Sequence, residues 1–185
     1  MATKKIRLAS LFLLLSILAC RLPVSKEESQ ALKENYFQLR NIWFTTKPED
    51  LAITADKNSK EPYAIIMDMG ISQATVTIAS SIVGDGSMYT STGGGVIGGI
   101  DHENVRQASI HFVEFAADFV DRMVLVTEFP LPADGNIKFY LITPSGVYTT
   151  EEVNADVLTS GNHELSPLYL AGDDVITQLR IITEQ

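Results

Sequence analysis

Cysteine is almost absent from this chain, in which Cys20 is the only one among 185 residues. A single thiol cannot close a disulfide within the chain, and it cannot supply the several thiolates of a structural zinc site. The fold must therefore depend on its hydrophobic core. One domain can do so at this size, because a chain of about 150 residues buries roughly 70% of its unfolded surface.

Positive charge is scarce as well. The chain has 14 Lys and Arg residues against 23 Asp and Glu residues, which gives a formal net charge of −9 at pH 7. No segment combines clustered basic residues with aromatic ones, and an acidic surface repels phosphate backbones, so we expect no nucleic-acid partner. The histidines His102, His111 and His163 show neither HExxH nor HxH spacing, and we expect no metal or other cofactor.

Long apolar runs are also missing, apart from residues 8–19. This run would span about 18 Å as a helix, whereas a hydrocarbon core is roughly 30 Å thick, so the pattern does not predict a transmembrane helix. Lys4, Lys5 and Arg7 precede the run. A basic head followed by a short apolar segment is typical of an export signal. Residues 1–19 are therefore predicted to be a cleaved signal peptide.

The end of this segment carries a resemblance to a known export motif. Ile17, Leu18, Ala19 and Cys20 resemble the bacterial lipobox, in which cleavage before the cysteine accompanies diacylation of its thiol. The resemblance implies a lipoprotein of the bacterial cell envelope, held in a membrane through lipid on Cys20. Two or three acyl chains make a durable anchor, whereas one chain holds a protein only marginally.

Three alternatives to a lipoprotein remain at this stage. The signal is cleaved elsewhere, or Cys20 merely follows an apolar run, or the protein is cytosolic and its N-terminus mimics a signal. Arg21 follows Cys20, where the inner-membrane retention signal of enterobacterial lipoproteins has Asp, and this implies the outer membrane in a host with two membranes. Residues 20–25 are then a tether and residues 26–185 a single domain.

The hydrophobic pattern of residues 26–185 predicts an ordered series of helices and strands. A helix capped by Ser25 is expected to run to about Phe44, a long helix to begin at Asp101, and a third to begin at Ser166 and Pro167. Residues 124–129 are either a short strand or the end of the long helix. The remaining strands are predicted at residues 63–69, 75–82, 87–92, 137–143 and 147–150.

Hairpin connections dominate this order, which predicts an α+β fold with a mostly antiparallel sheet sandwiched by helices. The element order resembles the profilin, roadblock and longin group of domains. That resemblance implies that a homodimer could form through a helix or a sheet edge. Residues 67–70, 91–95 and 165–168 also resemble segments of an uncharacterised bacterial family, which implies no function.

A glycine-rich segment between the third strand and the long helix is the sharpest chemical candidate. It contains Gly93, Gly94, Gly95, Gly98 and Gly99 and includes a G-x-G-x-x-G pattern. Dinucleotide-binding folds place that pattern in a βαβ unit, whereas these strands are linked by hairpins, so nucleotide binding is not expected. The favoured interpretation is a close-packed turn. The alternative is an anion site formed by N–H groups of residues 98–102, with His102 assisting.

Asp68 interrupts an otherwise apolar strand. A buried carboxylate must be paired or hydrogen-bonded, because burying it alone is strongly unfavourable. We expect Asp68 to accept N–H bonds from a turn near Gly70, and the alternative is a catalytic acid whose pKa burial raises. No pattern of a serine or cysteine nucleophile is present.

The sequence thus favours a lipid-anchored envelope protein whose domain binds an unknown protein partner without catalysis. The alternative is an enzyme or small-ligand receptor that uses the loop of residues 93–102, with Asp68 or Glu103 as acid or base.

Overall fold

The computed structural model describes residues 25–184, which form four helices packed on an eight-stranded sheet. The predicted signal peptide, Cys20 and nearly all of the predicted tether lie outside the described residues. Within residues 25–184, no helix has both the length and the apolar character needed to cross a bilayer.

The sheet is antiparallel throughout. Its strands follow the spatial order β4-β3-β2-β1-β6-β7-β5, and β8 pairs with β6 beyond the end of β7. The longest strands lie at the centre and the shortest at the two edges. The strands are β1 (Ala64–Ile71), β2 (Ala74–Ser81), β3 (Gly86–Thr90), β4 (Gly95–Val96), β5 (Val124–Val126), β6 (Asn136–Thr143), β7 (Gly146–Thr149) and β8 (Val153–Asn154).

The helices cover both faces of this sheet. They are α1 (Lys26–Thr45), α2 (Glu103–Ala116), α3 (Ala155–Thr159) and α4 (Ser166–Thr183). Three short 3-10 turns supplement them, at Pro48–Leu51, Gly99–Asp101 and Ala117–Arg122. The predicted fold class is confirmed: the chain is α+β, with an antiparallel sheet between helical layers.

Alternation along the central strand assigns side chains to the two faces. Ile65 and Met67 point to the face covered by α2, α3 and α4, which holds the larger core. Ala64 and Ile66 point to the opposite face, where α1 and the segment after β5 cover a second core. Since both faces are buried, β1 reads as an almost continuous apolar run in the sequence.

Helix α1 forms largely as its sequence predicts. The Ser25 hydroxyl accepts the Glu28 N–H at 3.1 Å, which is the expected N-cap bond. Tyr36 and Trp43 are buried on its inner face. The helix ends at Thr45, where the Thr46 N–H still bonds to the Ile42 carbonyl.

The structure corrects the predicted starts of the other two long helices. The N-cap of α2 is His102 rather than Asp101, because Asp101 ends a separate 3-10 turn. The N-cap of α4 is Leu165 rather than Ser166, and the Ser166 hydroxyl instead accepts the His163 N–H at 3.2 Å. Residues 124–129 were expected to form either a short strand or the end of the long helix. Residues 124–126 form the strand β5.

Candidate functional site

A buried ion pair joins α1 to the centre of the sheet. The side chain of Arg40 is 2% exposed and that of Asp68 is 0% exposed. Arg40 donates from Nε at 2.9 Å and from Nη2 at 2.6 Å to Oδ2 of Asp68. Thr77, directly opposite Asp68 in the β1–β2 register, donates from Oγ1 to Oδ1 at 2.6 Å. Both carboxylate oxygens of Asp68 therefore accept hydrogen bonds.

The rest of the Arg40 guanidinium is also satisfied. Its Nη1 donates to the carbonyl oxygen of Phe129 at 3.0 Å. The group lies over the rings of Phe44 and Tyr140, with centroids at 4.9 and 5.4 Å, within the range of cation–π attraction. This single side chain thus connects α1, β1, β6 and the segment after β5.

Two tyrosines lie beside Thr77 and continue the buried polar groups of Arg40, Asp68 and Thr77 across the sheet. The Tyr36 hydroxyl is hydrogen-bonded to Thr77 Oγ1 at 2.8 Å. Tyr89 lies next to Thr77 in the β2–β3 register, with its ring edge-on to Tyr36 at 5.8 Å. The Tyr89 hydroxyl is buried and has no hydrogen-bond partner among residues 25–184. Burial, with the charge of Asp68, raises the pKa of the Tyr89 hydroxyl, and the nearby Trp43 indole opposes this effect without reaching hydrogen-bond geometry.

The electrostatics of the pair follow from its burial. Burial raises the pKa of the Asp68 carboxyl, while the Arg40 charge and the hydrogen bonds of Arg40 and Thr77 oppose that effect. Desolvation alone would lower the pKa of Arg40, but the adjacent Asp68 carboxylate reverses this and raises it. Arg40 is consequently a cation at every physiological pH.

The expectation that Asp68 binds a turn near Gly70 is wrong, because its partners are Arg40 and Thr77. A raised pKa is one property of a catalytic acid, but such an acid must also reach its substrate. Asp68 is fully buried beneath α1, and its oxygens are already hydrogen-bonded. The geometry therefore fits an ion pair that fixes α1 on the sheet.

The glycine-rich segment forms the β3–β4 turn and the approach to α2. Gly93, Gly94 and Gly98 have positive φ angles, which favour glycine. A Cβ atom at Gly93 would lie 2.8 Å from the Leu32 side chain of α1, and one at Gly99 would lie 2.5 Å from Val105. At Gly95, φ is +148° and a Cβ atom would lie 2.3 Å from the Met88 carbonyl oxygen. Close approach and backbone conformation thus account for glycine at all five positions, as a close-packed turn requires.

Several polar groups near the start of α2 already have partners within the protein. The Gly98 N–H donates to Ser87 Oγ at 3.3 Å, and the His102 N–H donates to the Gly99 carbonyl at 3.0 Å. Glu103 opens the helix and pairs with Arg106, so a carboxylate occupies the end of α2 that would attract an anion. An anion site in residues 98–102 stays a prediction.

A concave surface lies beside the loop that leads into β1. Two adjoining clefts of about 360 and 350 Å³ share Ala55, Tyr63 and Pro144. The Tyr63 hydroxyl in their wall donates to the Thr46 carbonyl at 2.8 Å. Neither cleft is lined by the glycine-rich segment or by His102.

The histidines are dispersed. The Nδ1 atom of His163 accepts the Leu165 N–H at 3.1 Å, and the His111 ring stacks on Phe115 with centroids 5.8 Å apart. His102 lies at the start of α2. In the part of the chain that the structure describes, no three His, Cys, Asp or Glu residues converge in a way that could hold a metal ion.

The sheet ends in an exposed apolar strand. β5 pairs with β7 on one side, and no strand among residues 25–184 pairs with its other side. The side chains of Val124 and Leu125 are 62% and 59% exposed. A shallow groove of about 460 Å³ runs beside them, lined by Leu125, Val126, Thr127, Glu128, Pro130, Lys138 and Thr149. Sequence reasoning missed this surface, because a three-residue apolar run does not reveal its place in the sheet.

Comparison with known proteins identifies no relative of this chain. No protein-family model, no curated protein and no solved structure gives a significant match to it. Function therefore has to be inferred from the residues and contacts of this chain.

Proposed function

We propose that this chain is a lipid-anchored protein of the bacterial cell envelope that acts through non-catalytic contacts with another protein chain. The lipobox-like residues 17–20 and the basic and apolar segment before them support the anchor. Acylated Cys20 would lie only five residues from Ser25. A fully extended chain of that length spans roughly 17 Å, so the domain would stay close to the membrane surface.

The exposed edge of β5 is the observation that carries the contact role. An unpaired strand edge offers backbone N–H and C=O groups to another chain, and natural proteins usually limit such edges by keeping them very short or by placing charges, proline or bulges there. β5 is limited by its length of three residues, but its side chains are apolar, and Val124 and Leu125 are exposed to solvent. A strand of this kind is suited to binding a protein segment.

The burial of the Arg40–Asp68 ion pair supports a role without catalysis. Arg40 and Asp68 use their polar atoms on each other, on Thr77 and on a backbone carbonyl. They would have to separate from each other, and α1 from the sheet, before either could act on a substrate. Leaving one member of a buried pair without its partner costs about 3–5 kcal/mol.

Mass spectrometry tests the anchor. The protein is expressed in a bacterium from its own N-terminus, and its intact mass is measured beside that of Cys20→Ser. We expect the wild type to lose residues 1–19 and to gain acyl mass, and the variant to gain none. An unprocessed wild-type mass would remove the lipoprotein proposal and return a cytosolic location to consideration.

The Arg21→Asp variant tests which membrane holds the protein. We expect this variant to shift the protein towards the inner membrane of a two-membrane host.

Photo-crosslinking in living cells tests the contact role. A photoreactive residue replaces Leu125 at the β5 edge, and a matched control carries it at Leu170 of α4, which is 58% exposed. We expect a discrete protein adduct from position 125 and not from position 170. Equal labelling at both positions would contradict a specific contact at β5.

The alternative function is binding of a small anion at residues 93–102. The observation that favours it is the open space around Gly94 and Gly98, where a Cβ atom would meet nothing within 4 Å. Titration with inorganic phosphate, followed by amide chemical shifts, tests it. Saturable shifts confined to residues 93–102 would support the anion site, and their absence would remove it.

A further inference from the structure

We infer that the end of the sheet that carries the β1–β2 and β3–β4 turns faces the bilayer when Cys20 is acylated. The partner of this end is a lipid surface, and the opposite end of the sheet points away from the membrane. This inference rests on the proposed lipid anchor and states how the domain is oriented on it.

The start of α1 lies at this end of the sheet. Arg40, in the second half of α1, contacts Asp68 near the middle of β1. Leu32, two turns earlier, lies against the β3–β4 turn, where a Cβ atom on Gly93 would be 2.8 Å from the leucine side chain. Leu32 also lines a cleft together with Gln73 of the β1–β2 turn. The first turns of α1 and these two strand turns therefore share one end of the domain.

The position of the anchor then sets which end is near the membrane. Ser25, the N-cap of α1, follows Cys20 by five residues, which span at most about 17 Å. Helix α1 has 20 residues and is about 30 Å long. An acylated Cys20 holds the start of α1 near the headgroups, whereas the end of α1 beside Tyr63 lies about 30 Å further along the helix.

The residues of the two turns suit a lipid surface. Residues 71–74 and 91–95 include no charged side chain, so they can approach the headgroups without removing a charge from water. Ile71, at the end of β1, is 49% exposed and presents an apolar side chain there.

The charges around the turns indicate neutral lipid. Lys26 and Lys33 of α1 are offset by Glu27 and Glu28 in its first turn and by Asp134, whose carboxylate accepts a backbone N–H of the β1–β2 turn at 3.4 Å. The chain as a whole has a net charge of −9 and is repelled by anionic headgroups. Zwitterionic lipid is therefore the surface that this end fits.

This orientation leaves the proposed protein contact free. β5 is the last strand at one side of the sheet, and its unpaired edge runs between the two ends rather than across either of them. A partner can therefore reach Val124 and Leu125 without displacing the domain from the membrane.

Fluorescence quenching in vesicles tests the orientation on the acylated full chain. Gln73→Cys and Thr92→Cys, one in each turn, carry a thiol-linked fluorophore, and acylation leaves Cys20 no free thiol. The vesicles are phosphatidylcholine with a fraction of lipid that bears a nitroxide quencher on its headgroup. Val83→Cys is the matched control: Gln73 precedes β2 and Val83, which is 37% exposed, follows it, and the eight residues of β2 span about 27 Å.

We expect quenching at positions 73 and 92 to be at least threefold stronger than at position 83. The two turns are labelled in separate variants, so the misfolding of one variant leaves the other as a test. Equal quenching at all three positions, or stronger quenching at position 83, would overturn the inference. A Leu125→Cys label that is quenched more than both turns would also overturn it, because the domain would then lie on its β5 side.

The mass of each labelled protein separates the failure of this inference from the failure of the proposed anchor. Acyl mass on Cys20 together with equal quenching removes the orientation and leaves the lipoprotein proposal in place. A chain without acyl mass loses both. Cys20→Ser, with the same label at position 73, should show at most background quenching, since this variant has no anchor.

Discussion

Arg40 and Asp68 form an ion pair in which the guanidinium and the carboxylate meet at 2.6 Å with almost no exposure to solvent. Arg40 comes from α1, and Asp68 lies 28 residues later in the central strand. Thr77 and the Phe129 carbonyl complete the hydrogen bonding of the two groups. The pair therefore ties α1 to the sheet, on a face where no other α-helix among residues 25–184 covers the core.

Removal of one partner should destabilise the domain much more than removal of both. Arg40→Met leaves the Asp68 carboxylate buried without its countercharge, and we expect the free energy of unfolding to fall by about 3–5 kcal/mol. Arg40→Met combined with Asp68→Leu should recover at least half of that loss, because no buried charge remains. Urea unfolding of the wild type and the two variants measures both changes.

An exposed ion pair provides the matched control for this comparison. Arg180 and Glu184 are separated by 3.7 Å on the surface of α4. Arg180→Met should change the free energy of unfolding by less than about 0.5 kcal/mol, since exposed pairs contribute little. If Arg40→Met were as mild as Arg180→Met, the buried pair could not hold α1 in place.

Tyr36 and Tyr89 should respond differently to loss of their hydroxyl groups. Tyr36→Phe removes a hydrogen bond to Thr77 and should cost about 1 kcal/mol. Tyr89→Phe removes a buried hydroxyl that has no partner among residues 25–184, and should leave stability unchanged or raise it. Thermal unfolding of the two variants under one condition separates them, and a larger loss for Tyr89→Phe would show that its hydroxyl does have a partner.

Stability should fall at alkaline pH. Burial, with the charge of Asp68, raises the pKa of Tyr36 to about 12, and burial raises that of Tyr140 to about 12, against an ordinary value of 10.0. Between these values the unfolded chain loses protons that the folded chain retains, so the free energy of unfolding decreases as the pH rises from about 10 through 12. Below pH 10 the contribution is fully present.

Urea unfolding at a series of pH values measures this slope. Tyr36→Phe should make it shallower, because one of the raised groups is gone. A free energy of unfolding that stays constant from about pH 9 to 12 would contradict the burial of these hydroxyls.

The arrangement of long elements could be predicted from the sequence because each has a strong local pattern. The run that became β1, the alternation of β2 and the spacing of apolar residues in α2 all depend on periodicity. The short elements β4, β8 and α3 were missed. Strands of two residues exist only because a neighbouring strand pairs with them, and such pairing leaves no local signal.

Only one member of the buried ion pair could be predicted from the sequence. Asp68 was identified as a carboxylate in an apolar strand that needed a partner, but Arg40 was not identified as that partner. Its position carried a signal: Tyr36, Arg40 and Trp43 share one helical face, so an arginine lies in the middle of an apolar stripe. A buried arginine needs a negative countercharge, and a buried aspartate needs a positive one. Because the two residues are 28 positions apart in the chain, no local sequence pattern indicated that they pair.

Gly70 provides a test of how closely the end of β1 approaches the turn before β6. A Cβ atom at Gly70 would lie 2.2 Å from the carbonyl oxygen of Ala133, and backbone atoms cannot rotate away. The Gly135 N–H also bonds to the Gly70 carbonyl at 2.9 Å, so the two segments cannot separate freely. Gly70→Ala should therefore lower the free energy of unfolding by about 3 kcal/mol, at the upper end for overpacking.

Gly94→Ala is the matched control, because Gly94 has open space around it and only its φ of +88° disfavours a side chain. That strain should cost about 1 kcal/mol. Urea unfolding of both variants compares the two effects directly. If Gly70 and Ala133 approach as closely as the structure shows, Gly70→Ala lowers the free energy of unfolding more than Gly94→Ala does. Equal losses would mean that the turn before β6 can move aside, and the sheet would then be less tightly closed at this end than its contacts indicate.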